Sequence, residues 1–408
     1  MGKGILINLF YFTPASATGV FVYVDNLLQE LAKMDSKYTY WLIVRKDMCH
    51  YLQNVLGNKP NVRYKVFGNL SFFWPRIAAK LLHKRSIVEE SMRRKFQSII
   101  DKHDISTVFF PSGSINPRGL RDISTIVTLF DLQYEYLPEN FPPKYLKVRR
   151  EGNQTAAQSA NRILAISEFT NNTLVEKYGI QTDKIVVTLL APQKFEEPEP
   201  VELPQQYVFY PAAFWPHKNH AVLIEALALL KHKFPKLHVV LTGIEKWQNV
   251  LADVLERADR HGIRDRIHHL GHVSSGSLRT IYEKSAALIF PSAFEGFGIP
   301  LVEAFSLGVP VIAANNSSIT EVVGGADPVR NRAHAEGVNP EDRGAATSSG
   351  AGILVPTGNA KALANAIEQV LTDPKLRSGL IAKGYARAKL FSWEKTAQKT
   401  LDVFDELS

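Results

Sequence analysis

Short apolar runs alternate with helix-length amphipathic stretches along the whole of this 408-residue chain. In the first half, strands are predicted at Ile5–Phe10, Thr39–Val44, Thr107–Phe110, Thr125–Thr128 and Arg162–Ala165, with helices between them such as Val20–Lys33. The second half predicts strand Tyr207–Tyr210, helix Ala221–Phe234, strand Leu237–Leu241, helix Trp247–Gly262 and strand Ile267–His269. Helix Ser277–Ser285, strand Ala287–Phe290, helix Pro300–Leu307 and strand Val309–Ala313 follow. Strand and helix in turn, over this length, make βαβ units and parallel sheets. The expected fold class is α/β, with two doubly wound parallel sheets.

The breaks in the pattern divide the chain. Residues 196–206, EEPEPVELPQQ, carry three prolines and four glutamates, the composition of an exposed linker. The expected units are therefore 1–195 and 207–390, with 391–408 a C-terminal helix that crosses back to the first unit. Residues 327–350, DPVRNRAHAEGVNPEDRGAATSSG, are polar and aperiodic, and a structureless loop of that length inside a compact domain is unusual. Excising it joins Gly324-Gly325-Ala326 to Ala351-Gly352-Ile353 as a continuous turn and strand, so it reads as an insertion. In doubly wound sheets, ligands bind off the carboxyl ends of the strands, and here also in a cleft between the two domains.

Composition narrows the class. Hydrophobic residues make up 45% and charged residues 22%, a globular balance. The single cysteine, Cys49, excludes a disulfide framework and a cysteine-rich metal site, and fits a reducing cytoplasm. The N-terminal MGKGILINLF reads as a first strand and not as a cleaved leader. No stretch approaches the ~20 apolar residues that span a bilayer. The longest, Ile299 to Ala314, has Glu303 in its middle.

The net charge of +8 is lopsided. Residues 1–195 hold 26 Lys and Arg against 16 Asp and Glu, or +10, and the remainder holds 22 against 24, or −2. From Phe72 to His103, eight cations and three acids are interleaved with Phe72, Phe73, Trp74, Ile77, Leu81, Leu82 and Ile87. Such a segment suits an anionic membrane surface, a phosphorylated acceptor or nucleic acid, or is a solvated helix pair with an apolar inner face. No nucleic-acid module accompanies it, so nucleic acid is not expected as a partner.

The chemistry concentrates in Phe290-Pro-Ser-Ala-Phe-Glu295-Gly296-Phe297-Gly298-Ile-Pro-Leu301-Val302-Glu303-Ala-Phe. A strand ends at Phe290, a tight loop with two glycines follows, and Pro300 stands where the first helical residue belongs. A helix N-terminus beside a glycine loop binds phosphate or pyrophosphate. Glu295 ahead of the helix and Glu303 in its first turns bracket a ligand, and carboxylates accept hydrogen bonds from sugar hydroxyls and ribose diols. Spacing alone carries little weight, because Glu168 and Glu176 show the same seven-residue gap on a helix that reads as solvated.

Residues 207–400 resemble the C-terminal domain of the retaining glycosyltransferases of the GT-B fold, the "group 1" class or glycosyltransferase family 4. The resemblance rests on Phe209-Tyr-Pro through His217-Lys218-Asn219, Val240-Leu-Thr-Gly243, Leu270-Gly271-His-Val273, Phe290-Pro-Ser through Glu303-Ala, Gly308-Val-Pro-Val-Ile-Ala, Glu321-Val and Phe391-Ser-Trp. The first half matches more loosely, through Thr18-Gly19, Phe130-Asp131-Leu132 and Ala165-Ile-Ser167-Glu-Phe-Thr170.

The resemblance implies two Rossmann-like domains facing across a cleft, with the donor held by the second. Glu295 would hold donor-sugar hydroxyls and Glu303 the nucleotide ribose. Amides around Gly296, Phe297 and Gly298 would contact the sugar, and those near Leu301 and Val302 the diphosphate. Lys218 would neutralise the leaving phosphate, Val273 would meet the base, and Gly19 would add an amide from the first domain. Gly243 and His217 complete the donor-binding set, and Asp131 stands with Glu295 and Lys218 among the catalytic candidates. For Lys218 the plainer alternative is a helix-cap lysine. Asp131 either faces the reacting sugar or caps the following turn.

Two departures from the family pattern stand out. Where an Arg is usual near the lysine, this chain has Ala213 and His217, a weaker phosphate partner. Where a His usually precedes the aspartate, it has Phe130.

The activity so implied is retaining transfer of a hexose from a nucleoside-diphosphate sugar, UDP-hexose ahead of GDP-mannose, to a glycan or lipid-linked acceptor in bacterial envelope polysaccharide synthesis. No metal or other cofactor is expected, since the chain has no Asp-x-Asp pair. The location would be cytoplasmic, with a peripheral hold on the inner membrane face. Two rival readings are a nucleotide-sugar epimerase of the same fold, which would act without acceptor, and a non-catalytic basic adaptor with a vestigial sugar site. A dinucleotide dehydrogenase is disfavoured, because Leu301 stands where a third glycine belongs.

Overall fold

The computed structural model describes residues 3–14, 19–34, 37–68, 86–245, 249–325 and 350–408. The aromatic start of the basic segment and the insertion up to residue 349 lie outside them. The chain forms two compact units, residues 1–190 with 393–408, and residues 191–392. The proline-rich stretch read as a linker, 196–206, belongs to the second unit. There Glu199 accepts hydrogen bonds from the Ser274 and Ser277 hydroxyls and from Thr280 Oγ1 through its carbonyl, at 2.7 Å.

The first unit is a seven-stranded sheet in the order β3-β2-β1-β4-β5-β6-β7, parallel throughout. Its strands are β1 (Gly4–Asn8), β2 (Thr39–Val44), β3 (Val62–Val66), β4 (Ile105–Phe110), β5 (Ser124–Leu129), β6 (Arg162–Ala165) and β7 (Ile185–Val187). All five residues of β1 are buried, which is why this strand reads as an unbroken apolar run and not as an alternation. The crossovers are made by α1 (Gly19–Lys33), α2 (Lys46–Leu56), α3 (Ser86–Lys102), α4 (Pro143–Ser159) and α5 (Glu168–Tyr178).

The second unit is a six-stranded parallel sheet in the order β10-β9-β8-β11-β12-β13. It comprises β8 (Tyr207–Pro211), β9 (His238–Thr242), β10 (Ile267–His269), β11 (Leu288–Phe290), β12 (Val311–Ala314) and β13 (Gly352–Val355). Its helices are α6 (His220–Leu230), α7 (Val250–Arg260), α8 (Ser275–Lys284), α9 (Ile299–Ser306), α10 (Ser317–Val323), α11 (Ala360–Thr372) and α12 (Pro374–Ala388). In both sheets the strand order reverses direction beside the first strand, the switch point at which doubly wound folds open a crevice for ligands.

The last helix, α13 (Trp393–Leu407), belongs to the first unit. Phe404 packs edge-on against Phe109 at 5.8 Å, Trp393 lies 6.3 Å from Tyr23, and Tyr38 donates to Asp405 at 2.7 Å. Arg162 and Glu406 form an ion pair beside them. The two aromatic contacts and Thr400, fully buried, account for the apolar stripe of a helix that would otherwise be a charged tail.

Candidate active site

The site grows from the carboxyl ends of β8 and β11. After β8 the chain makes a short 3-10 turn, Pro216–Lys218, and then enters α6 through Asn219, whose φ of 58° lies in the left-handed region that asparagine tolerates. Asn219, not Lys218, is thus the residue at the helix start. The Lys218 side chain runs instead to Glu295, with Nζ to Oε1 at 2.6 Å and side-chain exposures of 19% and 12%.

Four hydrogen bonds fix the turn against the β11 end. The Ala293 amide donates to the His217 carbonyl at 2.7 Å, and Asn219 Nδ2 to the Pro291 carbonyl at 3.3 Å. The buried Tyr210 hydroxyl donates to the Lys218 carbonyl at 2.8 Å and lies 2.9 Å from the Ser292 hydroxyl. A carbonyl only accepts, so Ser292 must supply the proton of the second bond. Burial and the nearby Glu295 charge keep the Tyr210 phenol protonated.

Two serines at the start of α10 hold the Glu295 loop from the other side. Ser317 Oγ accepts the Glu295 amide at 3.0 Å, and Ser318 Oγ donates to the carbonyls of Glu295 at 2.9 Å and Phe297 at 3.1 Å. Asn316 bonds the Ser292 carbonyl and the Thr357 hydroxyl. At the far end of α10, Arg387 donates to the carbonyls of Glu321 and Val322, a cation on the negative end of the helix. The loop carrying Glu295, Gly296, Phe297 and Gly298 is therefore tied at both flanks before any ligand arrives.

Gly298 caps α9 at φ 103°, and a Cβ there would meet Leu301 Cδ1 at 2.9 Å. Only glycine fits. The Leu301 amide donates to the Gly298 carbonyl at 3.0 Å. The side chains of Phe297, Leu301 and Val302 are all buried, so ligand contact at these positions falls to the backbone. Gly243, φ 117°, has a structural reason of its own: a Cβ would sit 2.5 Å from the Ala212 carbonyl oxygen. Its amide donates to the Gly271 carbonyl at 2.7 Å, and its carbonyl accepts from His269 Nε2 at 2.8 Å. This ties the end of β9 to the turn ahead of Val273.

Glu303 lies inside the fold, as its place in an apolar stretch suggests. It is 5% exposed, and Oε2 accepts the Tyr282 hydroxyl at 2.8 Å. Burial pushes its carboxyl up to about 7, against the counter-pull of Tyr282 and of the Gln193 amide. It is a desolvated carboxylate held by two donors, not a surface one.

The histidines near Lys218 are held neutral. Burial, with Lys218 beside it, pushes His217 down to about 2, and the same two causes push His220 down to about 3. His217 thus adds no positive charge, and the arginine that family members carry has no cationic replacement at that position. His220 stacks on Phe214 at 4.4 Å.

Gly19 and Asp131 lie in the first unit. Gly19 opens α1, so its amide belongs to a helix N-terminus. Asp131 Oδ1 accepts the Gln133 amide at 3.2 Å, the turn-capping arrangement. Phe130 packs on Tyr23 at 5.3 Å. Sequence reasoning quoted Tyr210 and Ser292 within the family segments without a role, and passed over Ser317, Ser318, Gln193 and Tyr282. The single available signal was the polar Asn315-Asn316-Ser317-Ser318 run directly after an apolar strand. Among the described residues, no group of three or more His, Cys, Asp or Glu side chains is placed to hold a metal ion.

Comparison with known proteins places both units. Residues 193–387 match the family profile "Glycosyl transferases group 1", and residues 17–188 match "Glycosyltransferase Family 4". The chain is 29% identical over 295 residues to the O-antigen chain mannosyltransferase B of Escherichia coli, covering 68% of this chain and 69% of that one. It is 23% identical over 317 residues to the serotype-specific mannosyltransferase WbdA of E. coli, covering 74% of this chain but 35% of that much longer one. Among solved structures, Anabaena HepE in complex with UDP and glucose superposes with a TM-score of 0.71 at 17% identity over 99% of this chain and 100% of that one. A Rickettsia africae glycosyltransferase gives 0.69 at 18%, over 100% and 98%. At such identities the solved structures speak for the fold. With the two profiles covering nearly the whole length between them, the chain belongs to the group 1 glycosyltransferases, the family 4 type of the GT-B fold, and is an enzyme of the sugar-transferring class.

Proposed function

We propose that this enzyme transfers mannose, with retention of configuration, from a nucleoside-diphosphate mannose to a growing envelope polysaccharide. The observation that carries the chemistry is the Lys218–Glu295 pair, tied to the glycine loop ahead of α9. Lys218 neutralises the leaving diphosphate, and Glu295 takes sugar hydroxyls once the phosphate has drawn the lysine away. Glu303 takes the ribose. Asp131 stays a candidate for the sugar face through the oxygen not spent on Gln133, and Gly19 for a phosphate contact.

Mannose as the sugar is supported by the two E. coli relatives above, each matched over most of this chain and named as a mannosyltransferase. That support reverses the order suggested by sequence alone, in which UDP-hexose preceded GDP-mannose. The test is turnover against a donor panel with an oligomannoside acceptor. GDP-mannose is expected to support transfer and UDP-glucose little or none, in EDTA as well as without it. Preferential use of UDP-glucose would overturn the sugar assignment.

The basic first half supports a peripheral hold on the inner membrane face, where a lipid-linked or polymeric acceptor would be met. No helix among the described residues is long and apolar enough to cross a membrane. Each cation near an anionic leaflet contributes about 1 kcal/mol within a Debye length. Flotation with anionic vesicles is expected to capture the enzyme at low salt, less so when Lys80, Lys84 and Arg85 are all changed to Glu. Capture indifferent to those changes would leave the segment an ordinary solvated surface.

A further inference from the structure

The buried carboxyl of Glu303 points to a residue that the donor chemistry has not used. Tyr282, on α8, is 0% exposed, and its hydroxyl meets Glu303 Oε2 at 2.8 Å. The ring is fixed edge-on by Phe209 at 4.9 Å and Phe195 at 6.0 Å. The backbone behind it is pinned by the Tyr207 hydroxyl on the Ile281 carbonyl at 2.8 Å. The hydroxyl has two acceptors within reach, the Pro300 carbonyl at 3.5 Å and Glu303 Oε2 at 2.8 Å, and the carboxylate is the shorter and stronger of the two.

We infer that Tyr282 is a positioning residue for the donor: by occupying Glu303 Oε2, it aims the remaining oxygen at the ribose diol and holds the carboxyl in its ionised, doubly accepting form. This rests on the reading that Glu303 binds ribose. An ionised carboxylate accepts from both hydroxyls of a diol, whereas a protonated one gives up part of that capacity. A hydrogen bond to the charged form favours that form. Glu303 sits at about 7 with the bond present, so the bond acts where the group titrates. Tyr282 itself, buried and beside Glu303, stays a phenol at any working pH.

Few other charges bear on the carboxyl. The Gln193 amide is its second donor. The cation of α12, Arg387, is committed to the Glu321 and Val322 carbonyls, and Lys218 to Glu295. Among the described residues, Tyr282 is the titratable side chain bonded to Glu303.

The experiment is calorimetric titration of the full enzyme with GDP and UDP from pH 5.5 to 9, for the wild type, Tyr282→Phe and Glu303→Gln. Wild-type affinity should strengthen as pH rises through about 7. In Tyr282→Phe the inflection should move up by roughly one pH unit, weakening binding about fivefold at pH 7 and recovering at pH 9. An unmoved inflection in Tyr282→Phe, with Glu303→Gln weak at every pH, would make Tyr282 a packing residue and overturn the inference. Full-strength binding by Glu303→Gln would instead sink the ribose reading beneath it. Should Tyr282→Phe not fold, 3-fluorotyrosine at position 282, a stronger donor of the same shape, gives the opposite check: the inflection must fall.

Discussion

Lys218→Met is expected to lower turnover by about 10²–10³-fold, the scale on which removing one preorganised electrostatic contact slows a charge-developing step. The lysine is held 2.6 Å from Glu295 in a site where both side chains are mostly shielded from water, so its field is little screened when a diphosphate replaces the glutamate as its partner. The variant also strands the Glu295 carboxylate, and a buried group left without its partner costs about 1–3 kcal/mol. Loss of activity alone would therefore not separate chemistry from folding.

The double variant Lys218→Met with Glu295→Gln makes the separation. Removing both charges restores most of the lost stability, because the penalty lies in the uncompensated partner, while turnover stays down. Urea melts and initial rates on the two single variants and the double one complete the cycle. If the double variant recovered both stability and turnover, the pair would be a structural clasp and the phosphate role of Lys218 would fail.

Glu303→Gln is expected to make the fold more stable and the enzyme worse. The carboxyl is raised from 4.5 in the unfolded chain to about 7 in the folded one by burial. A raised group binds its proton more tightly when folded. Below about pH 4.5 both states are protonated and nothing is lost. As pH rises from there to about 7, the unfolded chain gives up its proton first and stability falls. Above 7 the loss is complete, on the order of 3 kcal/mol at 1.36 kcal/mol per unit.

Glutamine carries no such charge. The variant should therefore melt higher than the wild type at pH 8, by several degrees for a unit of this size, and the two curves should converge near pH 4.5. Nucleotide affinity should drop in the same protein. A melting difference independent of pH would contradict a desolvated, titrating Glu303. The pattern is that of a site kept at a cost to stability.

Much of the fold could be read from the chain because parallel strands buried on both faces announce themselves as apolar runs. Thr39–Val44 and Arg162–Ala165 stand where the pattern placed them. The two edge strands of the first sheet did not announce themselves. Val62–Val66 is buried at one residue in five and carries Arg63 and Lys65, and Ile185–Val187 is three residues long, so neither has the run that a central strand needs.

The glycine loop and the cap at Gly298 were legible for a local reason, since the Gly-x-Gly and Pro300 lie within a few residues of each other. What surrounds them was not. Tyr282 is 21 positions from Glu303, and Gln193 is farther still. The burial that pushes Glu303 up to about 7 comes from packing that no short window contains. Gly243 illustrates the same gap, because its close approach to the Ala212 carbonyl joins the ends of neighbouring strands. Asp131 left two readings open in the sequence, and its bond to the Gln133 amide selects the turn cap for one of its two oxygens.

The central claim is that the Lys218–Glu295 site transfers a sugar from a nucleoside diphosphate without inverting its anomeric carbon. Proton NMR of the product formed from GDP-α-mannose and an oligomannoside acceptor reads that directly. The account predicts a new α-linked mannose, formed by the wild type and reduced about 10²–10³-fold in Lys218→Met. A β-linked product, or an α-linked one formed equally well without Lys218, would contradict it.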